Sequence, residues 1–124
     1  MGGNGASSSS DYGREYSTVL IKGNNVKFVK RNKKGANAPL ETKTKNRVYA
    51  TVDEDSRVKY ISFYDKQGKR TKTIDIDYRP NEPHGKYHAH DGYYHTGKDR
   101  PLSKKEKRIL HQTLAYWEKH NETV

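Results

Sequence analysis

Three short runs of alternating apolar and polar residues follow one another between Arg47 and Tyr78. Arg47 to Val52 sets Val48, Ala50 and Val52 on one side. Arg57 to Asp65 alternates Val58, Tyr60, Ser62 and Tyr64 against Ile61 and Phe63. Arg70 to Tyr78 sets Ile74, Ile76 and Tyr78 against Thr73, Asp75 and Asp77. A period of two places successive side chains on opposite faces of a strand. The separators Asp53-Glu54-Asp55-Ser56 and Lys66-Gln67-Gly68-Lys69 have turn chemistry, with Gly68 suited to a positive φ. Strands joined this closely pair antiparallel, so the expectation is a three-strand meander over 47–78.

The flanks extend this unit. Thr18 to Lys22 and Val26 to Lys30 are β-rich runs around Gly23-Asn24-Asn25, which predicts a hairpin. Arg31 to Lys45 is polar, holds Gly35 and Pro39, and reads as a long loop. Pro80 and Pro83 are expected to end the meander, because proline cannot donate to a ladder. At the C-terminus Ser103 and Glu106 have capping-box spacing. Ile109, Leu110, Thr113, Leu114 and Trp117 then form one apolar stripe at helical spacing. The predicted fold class is α+β: a small antiparallel sheet of about five strands, packed by a helix over about 103–120. Residues 1–15, opening with MGGNGASSSS, have flexible linker or tag composition. Residues 16–124 read as a single basic domain. A linker before a short domain suggests the C-terminal module of a larger phage or secreted protein.

Composition narrows the chemistry. With 25 Lys and Arg against 15 Asp and Glu, the chain has a formal net charge of +10. Such a surplus favours polyanionic partners: RNA, DNA or an anionic membrane surface. Of the nucleic acids, RNA is expected over DNA. There is no Cys, which removes disulfides, zinc thiolates and thiol nucleophiles. No stretch is apolar enough to span a bilayer, so no membrane partner is expected and the chain reads as soluble.

Four of the six His fall between His84 and His95. The stretch also carries Lys86, Tyr87, Asp91, Tyr93 and Tyr94, with Arg79 before it and Lys98 after it. Imidazole titrates near neutral pH, so His84, His88 and His90 are acid–base candidates at a phosphodiester. Arg79, Lys86 and Lys98 are candidates for holding phosphate. Tyr87, Tyr93 and Tyr94 are candidates for stacking on unpaired bases. In an extended segment His88 and His90 share a face, about 7 Å apart by strand geometry. This reading needs no cofactor. The rival is a metal site drawn from His84, His88, His90, Asp91 and His95. The plainer alternative is that these residues pack a loop against the sheet edge. His111 and His120, on the predicted helix, read as structural.

The run Tyr64-Asp65-Lys66-Gln67-Gly68-Lys69-Arg70, then Ile74-Asp75-Ile76-Asp77-Tyr78, then His84-x3-His88-x-His90, resembles C-terminal domains of bacterial polymorphic toxins. It is similar to the toxin type 24 group, and to short domains on phage minor head proteins. The resemblance covers about 30 residues, from Tyr64 to His95. It implies a toxin-like nuclease, a possible immunity protein as partner, and virion association or delivery into a target cytoplasm. A non-enzymatic nucleic-acid-binding or virion-associated module, and a His-based metal-binding domain, are the alternatives.

Overall fold

The computed structural model describes residues 6–7, 16–22, 26–31, 38–39, 41–42, 47–79, 82–92 and 99–122. The strands are β1 (Ala6–Ser7), β2 (Tyr16–Lys22), β3 (Val26–Arg31), β4 (Glu41–Thr42), β5 (Val48–Val52), β6 (Val58–Tyr64), β7 (Arg70–Arg79) and β8 (Glu82–Asp91), followed by helix α1 (Lys104–Glu122). One sheet has six strands in the order β2-β3-β5-β6-β7-β8, and β1 pairs with β4 in a separate two-strand ladder. The chain is therefore α+β, as expected. Apart from Ala6–Ser7, the predicted linker lies outside the described residues.

The hairpin β2–β3 and the meander β5–β6–β7 form as predicted. Gly68 adopts φ 78° in the second meander turn. The sheet departs from the expectation in two ways. β3 and β5 pair parallel, with Val26 opposite Val48 and Phe28 opposite Ala50. The alternating pattern is the same for either direction, and the long polar stretch after Arg31 is sufficient chain to return to the starting end. The prolines also end β7 without ending the sheet. The chain turns back as β8, antiparallel to β7. β8 is an edge strand, where one missing N–H breaks no inner ladder, so Pro83 is tolerated.

One face of the sheet is closed by α1. Phe28, Ala50, Val52, Val58, Ile61, Ile74, Ile76 and Ala89 pack with Leu102, Leu110 and Trp117 in the main core. Burying a Leu or Ile side chain of this kind contributes about 1.5–3 kcal/mol. Trp117 stacks on Phe28 at 5.1 Å and donates its indole N–H to the Ser56 carbonyl at 2.8 Å. The predicted capping box is present: Ser103 Oγ accepts from the Glu106 amide at 3.2 Å, and Glu106 Oε1 accepts from the Ser103 amide at 2.8 Å. On the opposite face Val29, Tyr49 and Tyr64 form a smaller cluster. It is roofed by residues 38–39, where the Tyr64 hydroxyl donates to the Pro39 carbonyl and Arg70 donates to the Ala38 carbonyl. No helix among the described residues is long and apolar enough to cross a membrane.

Candidate functional site

On this second face, beyond the Tyr49–Tyr64 cluster, the surface of β6, β7 and β8 turns polar. Ala89 is fully buried in the main core. Strand alternation therefore aims its neighbours His88 and His90 at the opposite face. Across the ladder Asp75 pairs with His88 and Thr73 pairs with His90. The residues Ile74 and Ile76, which make β7 a core strand, thus fix Asp75 on the face that carries the two imidazoles.

The His88 and His90 rings meet edge to face with centroids 4.7 Å apart. Asp75 Oδ2 lies 3.6 Å from His88 Nε2. Asp75, His88 and His90 each bring one donor atom to within 4.8 Å of the others. His90 is buried, with Asp75 and His88 half-buried. A second carboxylate approaches from outside: Asp99 Oδ1 is 3.2 Å from His90 Nε2 and Asp99 Oδ2 is 3.7 Å from His88 Nε2.

The supporting groups have clear origins. A register shift between β5 and β6 aligns Thr51 with Tyr60 and Val52 with Val58, so Lys59 is the extra, bulged residue. A bulge re-aims a side chain without ending the strand. Lys59 Nζ donates to Asp75 Oδ1 at 2.7 Å, to the Ile76 carbonyl at 2.7 Å and to Asp77 Oδ1 at 3.4 Å. Partial burial alone would lower the Lys59 pKa. The hydrogen bond and charge of Asp75, with Tyr60 and the Asp77 hydrogen bond adding to them, together outweigh burial and raise it. Tyr60 stands opposite Asp75 in the β6–β7 ladder. Burial, and then the Asp75 charge, push its hydroxyl pKa up.

Asp99 is placed by its neighbour. Arg100 forms a two-way backbone bridge with Ala89, at 2.8 and 2.9 Å, along the outer edge of β8. Its guanidinium is gripped from two sides, by Asp91 at 2.7 and 2.9 Å and by Glu106 at 2.8 Å on both carboxylate oxygens. Lys72 adds a further ion pair to Glu106 at 2.9 Å. Arg100 and the helix-cap hydrogen bond from Ser103 hold the Glu106 carboxyl far below its ordinary value, against burial.

The sequence candidates separate accordingly. His88 and His90 are brought together, and Lys86, two residues before His88 on β8, shares their face as an exposed side chain. Tyr87 faces the helix side, 37% exposed and edge-on to His111 at 6.2 Å. As a base-stacking candidate it is therefore on the wrong face for the His pair. Asp91, an alternative metal ligand, is engaged by Arg100 and lies outside the ligand cluster. His84 and Arg79 fall within β8 and β7, but their side chains lie outside the described residues. So do Tyr93, Tyr94, His95 and Lys98. His120 stacks on Trp117 at 5.5 Å, and His111 contacts Tyr87, in keeping with structural roles.

Sequence reasoning assigned no role to Asp75, Asp99 or Lys59. For Asp75 a signal existed, since pairing β8 back onto β7 puts it beside His88. For Asp99 and Lys59 there was none, because an isolated bridge and a bulge position them.

Compared with models of known protein families, with curated proteins and with solved structures, the chain matches none. The toxin resemblance therefore rests on its motif residues alone.

Proposed function

We propose that this protein is a nuclease domain that cleaves RNA at the Asp75–His88–His90 face. The observation that carries the reading is the convergence of two imidazoles and a carboxylate, all within 4.8 Å, on one sheet face of a chain with net charge +10. Positive charge draws the polyanion, and exposed Lys86 beside the His pair offers a phosphate contact. The imidazole nitrogens can serve phosphodiester cleavage either by moving protons or by holding a metal ion. Single-stranded RNA suits a sheet face better than a duplex, since its phosphates and unstacked bases can lie against the strands.

The test is cleavage of single-stranded RNA, and separately of DNA, by the wild type and by a His88→Ala/His90→Ala variant. Circular dichroism controls for folding. Loss of RNA cleavage by about 100-fold or more in the variant is the expected result, the scale on which positioned imidazoles contribute. No cleavage by folded wild type, or undiminished cleavage by the variant, overturns the proposal. In that event salt-sensitive RNA binding without turnover would identify a binding module.

A further inference from the structure

Two imidazoles beside a phosphodiester can act as separate acid and base, or they can share an ion, and the geometry discriminates. In-line displacement puts the attacking and leaving oxygens on opposite sides of phosphorus. A base and an acid must then each lie about 3 Å beyond those oxygens, so the pair stands apart by more than the width of a phosphate. His88 and His90 are in ring contact, with centroids 4.7 Å apart. That spacing leaves no room for a phosphate between them. Their donor atoms instead converge, together with a carboxylate oxygen of Asp75.

We infer that Asp75, His88 and His90 bind one divalent first-row transition-metal ion, with zinc the best match. Two imidazoles and one carboxylate converging from one sheet face form a donor set such ions accept. Metal–nitrogen bonds of about 2.1 Å place tetrahedral donors about 3.4 Å apart. The three atoms, within 4.8 Å of one another, reach that spacing by small side-chain rotations on a fixed ladder.

The surroundings fit as well. Lys59 holds Asp75 Oδ1 and is itself pinned by the Ile76 carbonyl and Asp77. The other oxygen, Oδ2, is the one nearer His88. A ligand carboxylate anchored by a hydrogen bond is the outer support that metal sites use. Asp99, 64% exposed and within 3.7 Å of both imidazoles, is positioned to complete the set or to yield its place to water or substrate. An ion there would polarise a phosphoryl oxygen and acidify a bound water. As the cofactor of a nuclease this assignment rests on the function proposed above; as an ion site it stands on geometry alone.

The experiment uses the full chain stripped by a chelator. Zn²⁺ is titrated calorimetrically and Co²⁺ is followed by its visible absorption, for wild type, Asp75→Asn and His88→Gln/His90→Gln, each checked by circular dichroism. One ion per chain is expected. Affinity should fall about tenfold or more in Asp75→Asn, as for loss of a supporting group or worse, and vanish in the double variant. Failure of folded wild type to bind either ion, or binding unchanged in both variants, overturns the assignment. RNA cleavage is run alongside. Cleavage that persists after stripping overturns the ion as cofactor and leaves the nuclease standing. Site-specific binding without cleavage of any RNA retains the ion site and overturns the nuclease.

Discussion

Asp75 stands directly across the β7–β8 ladder from His88, with its Oδ2 3.6 Å from the imidazole Nε2 and its Oδ1 held at 2.7 Å by Lys59. One carboxylate thus links a bulged lysine on β6 to a histidine on the edge strand. Cross-strand neighbours are held by the backbone ladder, so this relationship costs little additional order.

Lys59→Met should disturb the site without disturbing the core. The methionine keeps the length of the stem but cannot donate to Asp75. We expect RNA cleavage and Zn²⁺ affinity to fall by about 10–100-fold, the range for losing an outer hydrogen-bond partner. Thermal unfolding should shift by only a few degrees. An unchanged Zn²⁺ affinity would show that Lys59 does not anchor the carboxylate.

Glu106 should be a stability residue. Its side chain is 2% exposed and pairs with Arg100 and Lys72. Glu106→Gln removes the charge those cations face; with both cations 32% exposed, solvent screens part of the loss, which should be about 1–3 kcal/mol. Urea unfolding measures this directly. Because Arg100 also carries the bridge beside Asp99, the variant should weaken cleavage at temperatures where it remains folded.

Acid should reveal the same carboxylate. Its folded-state pKa is lowered from the ordinary value, chiefly by Arg100. The unfolded chain therefore binds the proton first, and stability from this group is complete above the ordinary carboxylate pKa. It is lost as pH falls below about 4, through the folded value. Urea midpoints measured between pH 6 and pH 3 should fall for wild type and fall less for Glu106→Gln. Parallel declines would assign the acid sensitivity elsewhere.

Leu110→Ala should open a cavity between α1 and the sheet. Leu110 is fully buried against the main core, and such truncations cost about 2–5 kcal/mol. Tyr87→Ala is the contrasting case. Tyr87 lies on the helix side of β8, so RNA cleavage should stay within about twofold of wild type while His88→Ala loses it. A large loss in Tyr87→Ala would mean that RNA reaches the helix side of the strand.

The sequence by itself determined the meander, the hairpin, the helix and its capping box, because each is written in local periodicity and turn chemistry. It also determined that His88 and His90 share a face once their segment is extended, since a period of two leaves no other choice. Three things were decided only by the tertiary structure. The parallel pairing of β3 with β5 depends on where a long connection lands, which alternation does not encode. The return of the chain past Pro80 and Pro83 as an edge strand depends on there being a free edge of β7 to receive it. The partners of the imidazoles come from other strands and from a bridge beyond β8. Asp75, Lys59 and Asp99 are distant from one another in the chain, and only the ladder, the bulge and the Arg100 anchor bring their charges to one place.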